Sequence, residues 1–447
     1  MAFISRFAGR LIDSIEGRAF IWICVVVAAL VRLVYVFAIP TVGDVIDSRW
    51  YYEAAVSLAA GQGLVVNGRV TAFWPVGYPA FLAVLFKLFG ASLLAAKLAN
   101  VALYLVAMGC AYGVARRIFR SQLVARLTLL LLAIYPNHIA YSAEVLSEVL
   151  SLALLMAGCF SLVASAERPR LLYLSGIVFG FATLVKPQIV LLTAFFLLCL
   201  YLAQLRRGEL RAVAARVAAF YVLLLLVIAP WTIRNYLVFG HVFLVSNNSG
   251  LNFFYSSSPS VRVEFGSPLP SPEISLLYES IARENEYLAD RAVMQRAIED
   301  VKAQPTAALR RMLQQAWYLW YMDVDGGRLN ERNILDIDPQ TKRFLYGFKI
   351  VSQAYYLTLL ALAALGVAVL IRRCPFGRYP LVYLGLGTVG YFTVVALFFH
   401  GETRYHFPIM PLVVMYSAFA LELLLSLAVS RGAVPLLNTP AAAGQST

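Results

Sequence analysis

Ten stretches of this chain are each apolar for about the length that crosses a lipid bilayer, and nothing else in the sequence narrows the possible folds so sharply. A span needs roughly 20 mostly apolar residues. Stretches near 20–39, 97–115, 122–141, 145–165, 171–186, 188–204, 213–231, 350–371, 379–399 and 405–429 approach that length. Backbone amides in lipid must be satisfied within their own segment, which makes each stretch a helix. The composition agrees, with 61% hydrophobic and only 14% charged residues over 447 positions and a mean hydropathy of +0.75; a water-soluble domain of this size does not carry such values. The expectation is an all-α polytopic membrane protein of about ten transmembrane helices.

A net charge of +13 raises nucleic-acid binding as an alternative, but the basic residues are scattered between apolar stretches and form no single stripe. Membrane topology accounts for them better. Placing the N-terminus inside puts Arg6, Arg10 and Arg18, the cluster Arg116 to Arg126, Arg168 and Arg170, the cluster Arg206 to Arg216, Arg372, Arg373, Arg378 and Arg431 on the cytoplasmic side. The short outer connections then hold only Lys186 and Arg404, as the positive-inside rule requires. The first apolar stretch lacks a small-residue cleavage pattern and is expected to remain as a span of a multi-pass protein of the inner (plasma) membrane. The five cysteines, Cys24, Cys110, Cys159, Cys199 and Cys374, show no metal-binding spacing and predict neither disulfide nor zinc.

This topology leaves two long outer segments. The first, residues 40–96, belongs to an N-terminal membrane module of residues 1–231. It contains two stretches, Asp47 to Ala60 and Pro75 to Gly90, that suit helices lying on the membrane surface. The second, residues 232–349, is long enough for a mainly helical loop domain; it opens with polar turns (SNNSG, SSSPS, SPLPSP), continues as a helix over about 273–303 and reaches the aromatic run AWYLWYM. Residues 350–431 supply the last membrane helices, and residues 432–447 read as a disordered tail. The sequence shows no internal repeat.

Ionisable side chains at membrane depth are costly and are functional candidates by default. Here they gather at the outer ends of spans, where they can ring one cavity. Asp47, with Asp44 just before it, and Glu148, with Glu144 one turn earlier on the same expected helical face, are the acids. Lys186, Arg234 and Arg404 are the cations. Group transfer to a hydroxyl needs a carboxylate to accept its proton and cations to stabilise a departing phosphate. Structural alternatives stand beside each role. Asp47 can cap a helix, Glu144 can pair with a nearby cation, and Lys186 and Arg234 can snorkel to headgroups. Arg32, inside the first span, needs an acid, water or phosphate. His400 and His406 flank GETR without metal-ligand spacing, so no metal is expected.

Four stretches resemble the GT-C superfamily of membrane glycosyltransferases, specifically the bacterial relatives of protein O-mannosyltransferases and of the lipid A aminoarabinose transferase. They are DSRWYYEAAVSLAAGQG continuing into TAFWPVGYPAFLA, then YSAEVLSE, then PWTIRNYLVFG leading into SNNSGLNFF, and ETRYHFPIMP. The resemblance spans roughly residues 20–415 and implies a GT-C fold and an inverting transfer from a polyprenyl-phosphate sugar to an acceptor hydroxyl outside the cytoplasm. Asp47 matches the general base, with Asp44 as second choice, Glu148 matches the second outer acid, and Lys186 a basic position before proline. Tyr51, Tyr405, Arg234, Asn235 and Arg404 are the expected substrate contacts, with Glu144, Arg32 and Arg69 as further candidates. The chain departs from the larger members in lacking a C-terminal soluble domain and in carrying Trp74 and Val76 where relatives often have a basic residue or a second proline.

No cofactor is implied beyond the lipid-linked sugar, and the expected partners are that donor, membrane lipid and a glycan, lipid or protein acceptor, with no nucleic acid. Two alternatives remain open. A transporter or lipid flippase would show charges near the midplane and broken helices in two related halves. A ligase or polymerase of surface polysaccharide would use a diphosphate-linked glycan.

Overall fold

The computed structural model describes residues 9, 12–15, 17–42, 46–261, 263–264, 267–268 and 271–429. Asp44, Arg6, Arg10, Arg431 and the tail 432–447 lie outside the described residues.

The described chain is almost wholly helical. It runs α1 (Arg18–Ala38), α2 (Ile46–Ala59), a hairpin β1 (Val65–Val66) and β2 (Arg69–Val70), α3 (Gly77–Phe89), α4 (Leu93–Phe119), α5 (Gln122–Ala133), α6 (Pro136–Ala140), α7 (Glu148–Ala164), α8 (Leu171–Val185), α9 (Ile189–Arg206) and α10 (Leu210–Phe239). Then come α11 (Ser249–Ser257), a short antiparallel pair β3 (Val263–Glu264) and β4 (Ser267–Pro268), α12 (Pro272–Ala282), α13 (Glu286–Ala303), α14 (Pro305–Trp320), α15 (Asp325–Arg332), α16 (Pro339–Arg373), α17 (Leu384–Phe398) and α18 (Met410–Ala428).

Among the described residues, seven helices are long and apolar enough to cross a membrane: Ala19–Ala38, Leu93–Phe119, Ile189–Arg206, Leu210–Phe239, Pro339–Arg373, Pro380–Phe398 and Thr403–Ala428. An eighth candidate, Gln122–Ala133 with Pro136–Ala143, is bent by 55°. The stretches read from the sequence near 145–165 and 171–186 form the shorter apolar helices α7 and α8, of 17 and 15 residues.

The bend after α5 has a local cause. Tyr135 precedes Pro136 and takes an extended conformation at ψ 110, as steric clash with the proline ring demands. Pro136 has no amide to reach the Leu132 carbonyl, and the helix ends at Ala133. Arg32 supplies donors: its guanidinium, wholly buried, lies 2.9 Å from Ala133 O and 3.2 Å from Leu132 O. It also stacks over the Tyr104 ring at 3.6 Å. The partner of this buried charge is therefore the negative end of a broken helix, with no acid needed.

Burial sets the order of the bundle. The window of Thr403–Ala428 is 72% buried, against 22% for Leu210–Phe239 and 28% for Ala19–Ala38. α18 is thus the axis, packed on α16 and α5, while α10 and α1 present apolar side chains outward. α10 and α16 contain 30 and 35 residues; at 1.5 Å per residue they are about 45 and 52 Å long, more than a bilayer core of about 30 Å. Both project beyond it, so the sequence boundaries at 231/232 and 349/350 fall inside helices.

Between them sits the loop domain, with a small core of Phe254, Ile274, Val293 and Ala297. The single helix expected over 273–303 is two, α12 and α13. Asn285 interrupts it, because its side chain accepts from the backbone amides of Tyr287 and Leu288 at 3.0 and 3.3 Å and so starts a new helix. Glu286 then joins the loop domain to the first loop. Its two carboxylate oxygens accept from Thr71 Oγ1 at 2.7 Å, Ala72 N at 2.8 Å and Asn247 Nδ2 at 3.3 Å.

Candidate active site

The first loop reaches the site through α2. Its first turn holds Asp47, whose carboxylate is bonded by Arg404 Nη1. The helix is described from Ile46, so Asp47 lies inside its first turn, and the carboxylate is engaged by the guanidinium. Arg404 stands in a 3-10 turn, Thr403–Ile409, directly before α18. Its Nε also donates to Glu402 Oε2 at 2.6 Å. Gln315 pins the preceding bend: its Oε1 accepts from Gly401 N at 2.9 Å. Any side chain at position 401 would collide with the Gln315 backbone, which explains the glycine.

A second ion pair comes from two helix ends. Glu148 is in the first turn of α7 and Lys186 caps α8; Lys186 Nζ lies 3.2 Å from Glu148 Oε1. An acid suits the positive end of α7. The Glu148 side chain is only 2% exposed, and its Oε2 has no hydrogen-bond partner among the described residues. Gly77 makes this arrangement possible. A Cβ there would stand 2.7 Å from the Leu184 backbone and 2.6 Å from Val185, so only glycine lets α3 close on the end of α8 beside Lys186.

Both pairs line one cavity of about 400 Å³. The Tyr405 ring lies between its cations, with Lys186 Nζ and Arg404 Cζ each 5.4 Å from the centroid. Tyr51 and Trp74 form an aromatic wall, their centroids 5.7 Å apart. Leu191 of α9, Phe392 and Val395 of α17, and Phe399 just after α17 add apolar lining. Ser246, Asn248, Ser249 and Asn252 add polar groups. They are held in place by Asp290, whose carboxylate accepts from Gly250 N, Leu251 N and Ser249 Oγ at 2.8, 3.0 and 3.2 Å. Burial raises the Asp290 carboxyl, and these three donors oppose that.

His400 completes the lining. It is buried, its Nδ1 has no partner among the described residues and its Nε2 is 3.9 Å from Glu402. Burial pushes its pKa down to about 4, so the ring is neutral near pH 7.

The structure thus brings Asp47, Tyr51, Glu148, Lys186, Arg404 and Tyr405 together on one cavity. Other candidates stand elsewhere. Glu144 does not share a helical face with Glu148: it is extended at ψ 144, after a 3-10 turn, because the chain breaks before α7 begins. Its buried carboxylate accepts from Asn330 and Asn333, each at 2.5 Å, anchoring α15; burial raises it to about 7. Arg234 lies over Trp231 at 4.5 Å and donates to Asn235 Oδ1 at 3.1 Å. Asn235 in turn donates to Val245 O at 3.3 Å. Neither lines the cavity, and they instead brace the chain's exit from α10. Arg32 holds the α5 break, and Arg69 pairs with Glu279 at 3.4 Å on the exposed first-loop hairpin.

Sequence reasoning passed over His400 as a cavity residue, and the polar turn around Asn248 as part of the site. It also missed the network beneath. Asp323 is buried and accepts from Tyr135 Oη at 2.6 Å and from Asn137, with His406 Nε2 3.1 Å away. Asp325 accepts from Thr403 Oγ1 beside Arg404, and burial with Glu402 nearby raises it to about 7. The spacing HGETRYH was the available signal, since two histidines six residues apart between apolar segments need partners. Among the described residues, no group of three or more His, Cys, Asp or Glu side chains is placed to hold a metal ion.

Comparison with solved structures gives matches of low identity. The Archaeoglobus fulgidus oligosaccharyltransferase, tethered with an acceptor peptide containing the NVT sequon, aligns with a TM-score of 0.49 and 14% identity. The alignment covers 92% of this chain and 50% of that one, so this chain spans half the length of the archaeal enzyme. ArnT from Cupriavidus metallidurans bound to undecaprenyl phosphate aligns with a TM-score of 0.45 and 14% identity, covering 91% and 78%. Its apo state aligns with a TM-score of 0.44 and 15% identity, covering 91% and 79%. Among curated proteins, none matches this sequence. Residues 74–233, which carry Trp74, Glu148 and Lys186, match the family model of dolichyl-phosphate-mannose-protein mannosyltransferases, so the resemblance drawn from the motifs and the model match coincide over this segment. It is to that family that this chain is similar.

Proposed function

We propose that the chain is a GT-C membrane glycosyltransferase that moves a sugar from a polyprenyl-phosphate donor to an acceptor hydroxyl, with inversion, on the non-cytoplasmic face of the inner membrane. The observation that carries this reading is one cavity lined by two carboxylates, two cations and apolar side chains of α9 and α17. A phosphate at the headgroup level with a prenyl tail in lipid needs that combination. The similarity over 74–233 to a family whose name specifies a dolichyl-phosphate donor supports it.

In this mechanism the acceptor oxygen attacks the anomeric carbon while Asp47 takes its proton. The bond from that carbon to the phosphate oxygen breaks, and the electron pair leaves on the phosphate. Lys186 and Arg404 meet the charge that develops there, in a site partly shielded from water where such contacts are strong. A single in-line displacement inverts the anomeric centre. Glu148 holds Lys186 through one oxygen and so positions that cation. The loop domain caps the cavity and selects the acceptor. Arg234, displaced from the cavity, takes no part in phosphate binding.

The test is transfer of radiolabelled sugar from purified polyprenyl-phosphate sugars to membrane extracts by the full chain in lipid nanodiscs. Labelled product is expected with the wild type and with Lys302→Ala, an exposed position on α13, and not with Asp47→Asn. Full transfer by Asp47→Asn, or no transfer from any donor by the wild type, sinks the reading.

A further inference from the structure

A second cavity, of about 570 Å³, lies between the first-loop hairpin and the loop domain. Its volume falls within the range of about 300–1,000 Å³ typical of small-molecule sites. The hairpin forms one side. Asn67 and Gly68 turn it with positive φ of 51 and 72, the Asn-Gly pairing that two-residue hairpin turns favour, and this carries Arg69 to the rim. α12 forms the other side with Ser275, Tyr278 and Glu279.

This cavity differs in chemistry from the first. Trp50, Phe73, Tyr255 and Tyr278 give it aromatic faces, and Phe73 and Tyr278 meet edge to face at 5.9 Å. Its charged lining residues are Arg69, Glu279 and Glu286. Glu279 already balances Arg69 at 3.4 Å, and both side chains are more than half exposed, so the pair is weak and free to exchange partners. No positive charge is left over for a phosphate. Aromatic faces beside carboxylate, amide and hydroxyl groups suit a ring that carries C–H bonds on its face and hydroxyls on its edge. An extended peptide fits less well, because the two-residue strands of the hairpin offer too little edge to template one.

The two cavities share neighbouring residues of the same segments. Trp50, Phe73 and Leu251 face the second cavity, while their immediate neighbours Tyr51, Trp74 and Asn252 face the first. Trp50 and Trp74 touch, edge to face at 4.9 Å.

We propose that this second cavity is a saccharide subsite, holding a neutral sugar ring of the acceptor beside the cavity of Asp47, across the Trp50–Trp74 contact. As an acceptor subsite it rests on the transferase reading above. The binding itself is tested without donor, so the two readings fail separately.

The experiment is saturation-transfer NMR of methyl glycosides and neutral disaccharides on the full chain in nanodiscs, with a serine-containing peptide as a parallel ligand. Sugar binding at millimolar concentrations is expected, weakened about tenfold by Tyr278→Ala, as for loss of an aromatic anchor. Ser275→Trp, at an exposed position whose new side chain fills the space, is expected to abolish it while leaving the packing intact. Lys302→Ala, at an exposed position on α13 that lines neither cavity, leaves it unchanged. Absence of sugar binding, binding indifferent to Ser275→Trp, or binding of the peptide in place of sugars overturns the subsite. Sugar binding that responds to Ser275→Trp alongside full transfer by Asp47→Asn preserves the subsite and removes the transferase assignment of Asp47.

Discussion

The two ion pairs on the first cavity are built in opposite ways. Glu148 and Lys186 come from helix ends 38 residues apart, and the acid is 2% exposed. Asp47 and Arg404 come from a loop helix and a short turn, and each is 20% exposed. The first pair is part of the packed bundle, where removing one partner leaves an uncompensated charge. In the second, both partners are 20% exposed, close to the 15% of Lys186, so among the four only Glu148 is sealed from solvent. The difference teaches a division of labour: in the proposed mechanism Asp47, Arg404 and Lys186 meet the substrate, and the sealed Glu148 holds Lys186 in place.

This contrast is broken or sharpened by substitutions. The largest expected effect is on turnover: Asp47→Asn lowers the transfer rate roughly a thousandfold, within the range of about 10²–10⁴ for a general base, whereas Glu148→Gln costs about tenfold. The reverse order in one assay removes the contrast. Arg404→Ala is expected next, with a loss of about a hundredfold, as for one electrostatic donor, and an unchanged melting temperature in nanodiscs; a large drop in that temperature makes this pair structural too.

Stability should respond on the other pair. Lys186→Met strands the Glu148 carboxylate and costs about 3–5 kcal/mol, read as a lowered melting temperature. Adding Glu148→Gln restores stability without restoring transfer. Gly77→Ala, which forces α3 away from the end of α8, costs about 1–3 kcal/mol; a neutral result means that the close approach at Leu184 is not needed.

The smallest effect concerns pH. The Asp325 carboxyl is raised from an ordinary 3.8 to about 7, so the folded state holds its proton more tightly than the unfolded one. Its contribution to stability is therefore full below about pH 4, declines as pH rises and levels off above about 7. Asp325→Asn is expected to flatten that decline in melting temperature; an unchanged profile assigns the slope to Glu144.

The apolar segments were legible because lipid imposes a composition that hydropathy sums directly, and α1, α4 and α9 to within a few residues follow from it. Breaks inside a segment were not. Pro136 marked one, yet the sequence could not say that Arg32, a hundred residues earlier, would satisfy the carbonyls it exposes. Glu144 failed for the same reason: a helical periodicity was assumed across a bend, and its partners Asn330 and Asn333 lie in a helix that composition gives no reason to place there. Asp47, Glu148, Lys186 and Arg404 were legible as a group because an ionisable residue at a span end stands out against apolar neighbours. Asn248 and Ser249 did not stand out, since polar residues in a loop are the expectation.

The bond between Asp47 and Arg404 joins positions 357 residues apart, and this fixes a moment in the life of the molecule. A ribosome delivering the chain releases the first loop long before the turn that carries Arg404. Until then α2 stands with its acid alone. The ion pair therefore forms only once the segment that carries Arg404 is in place.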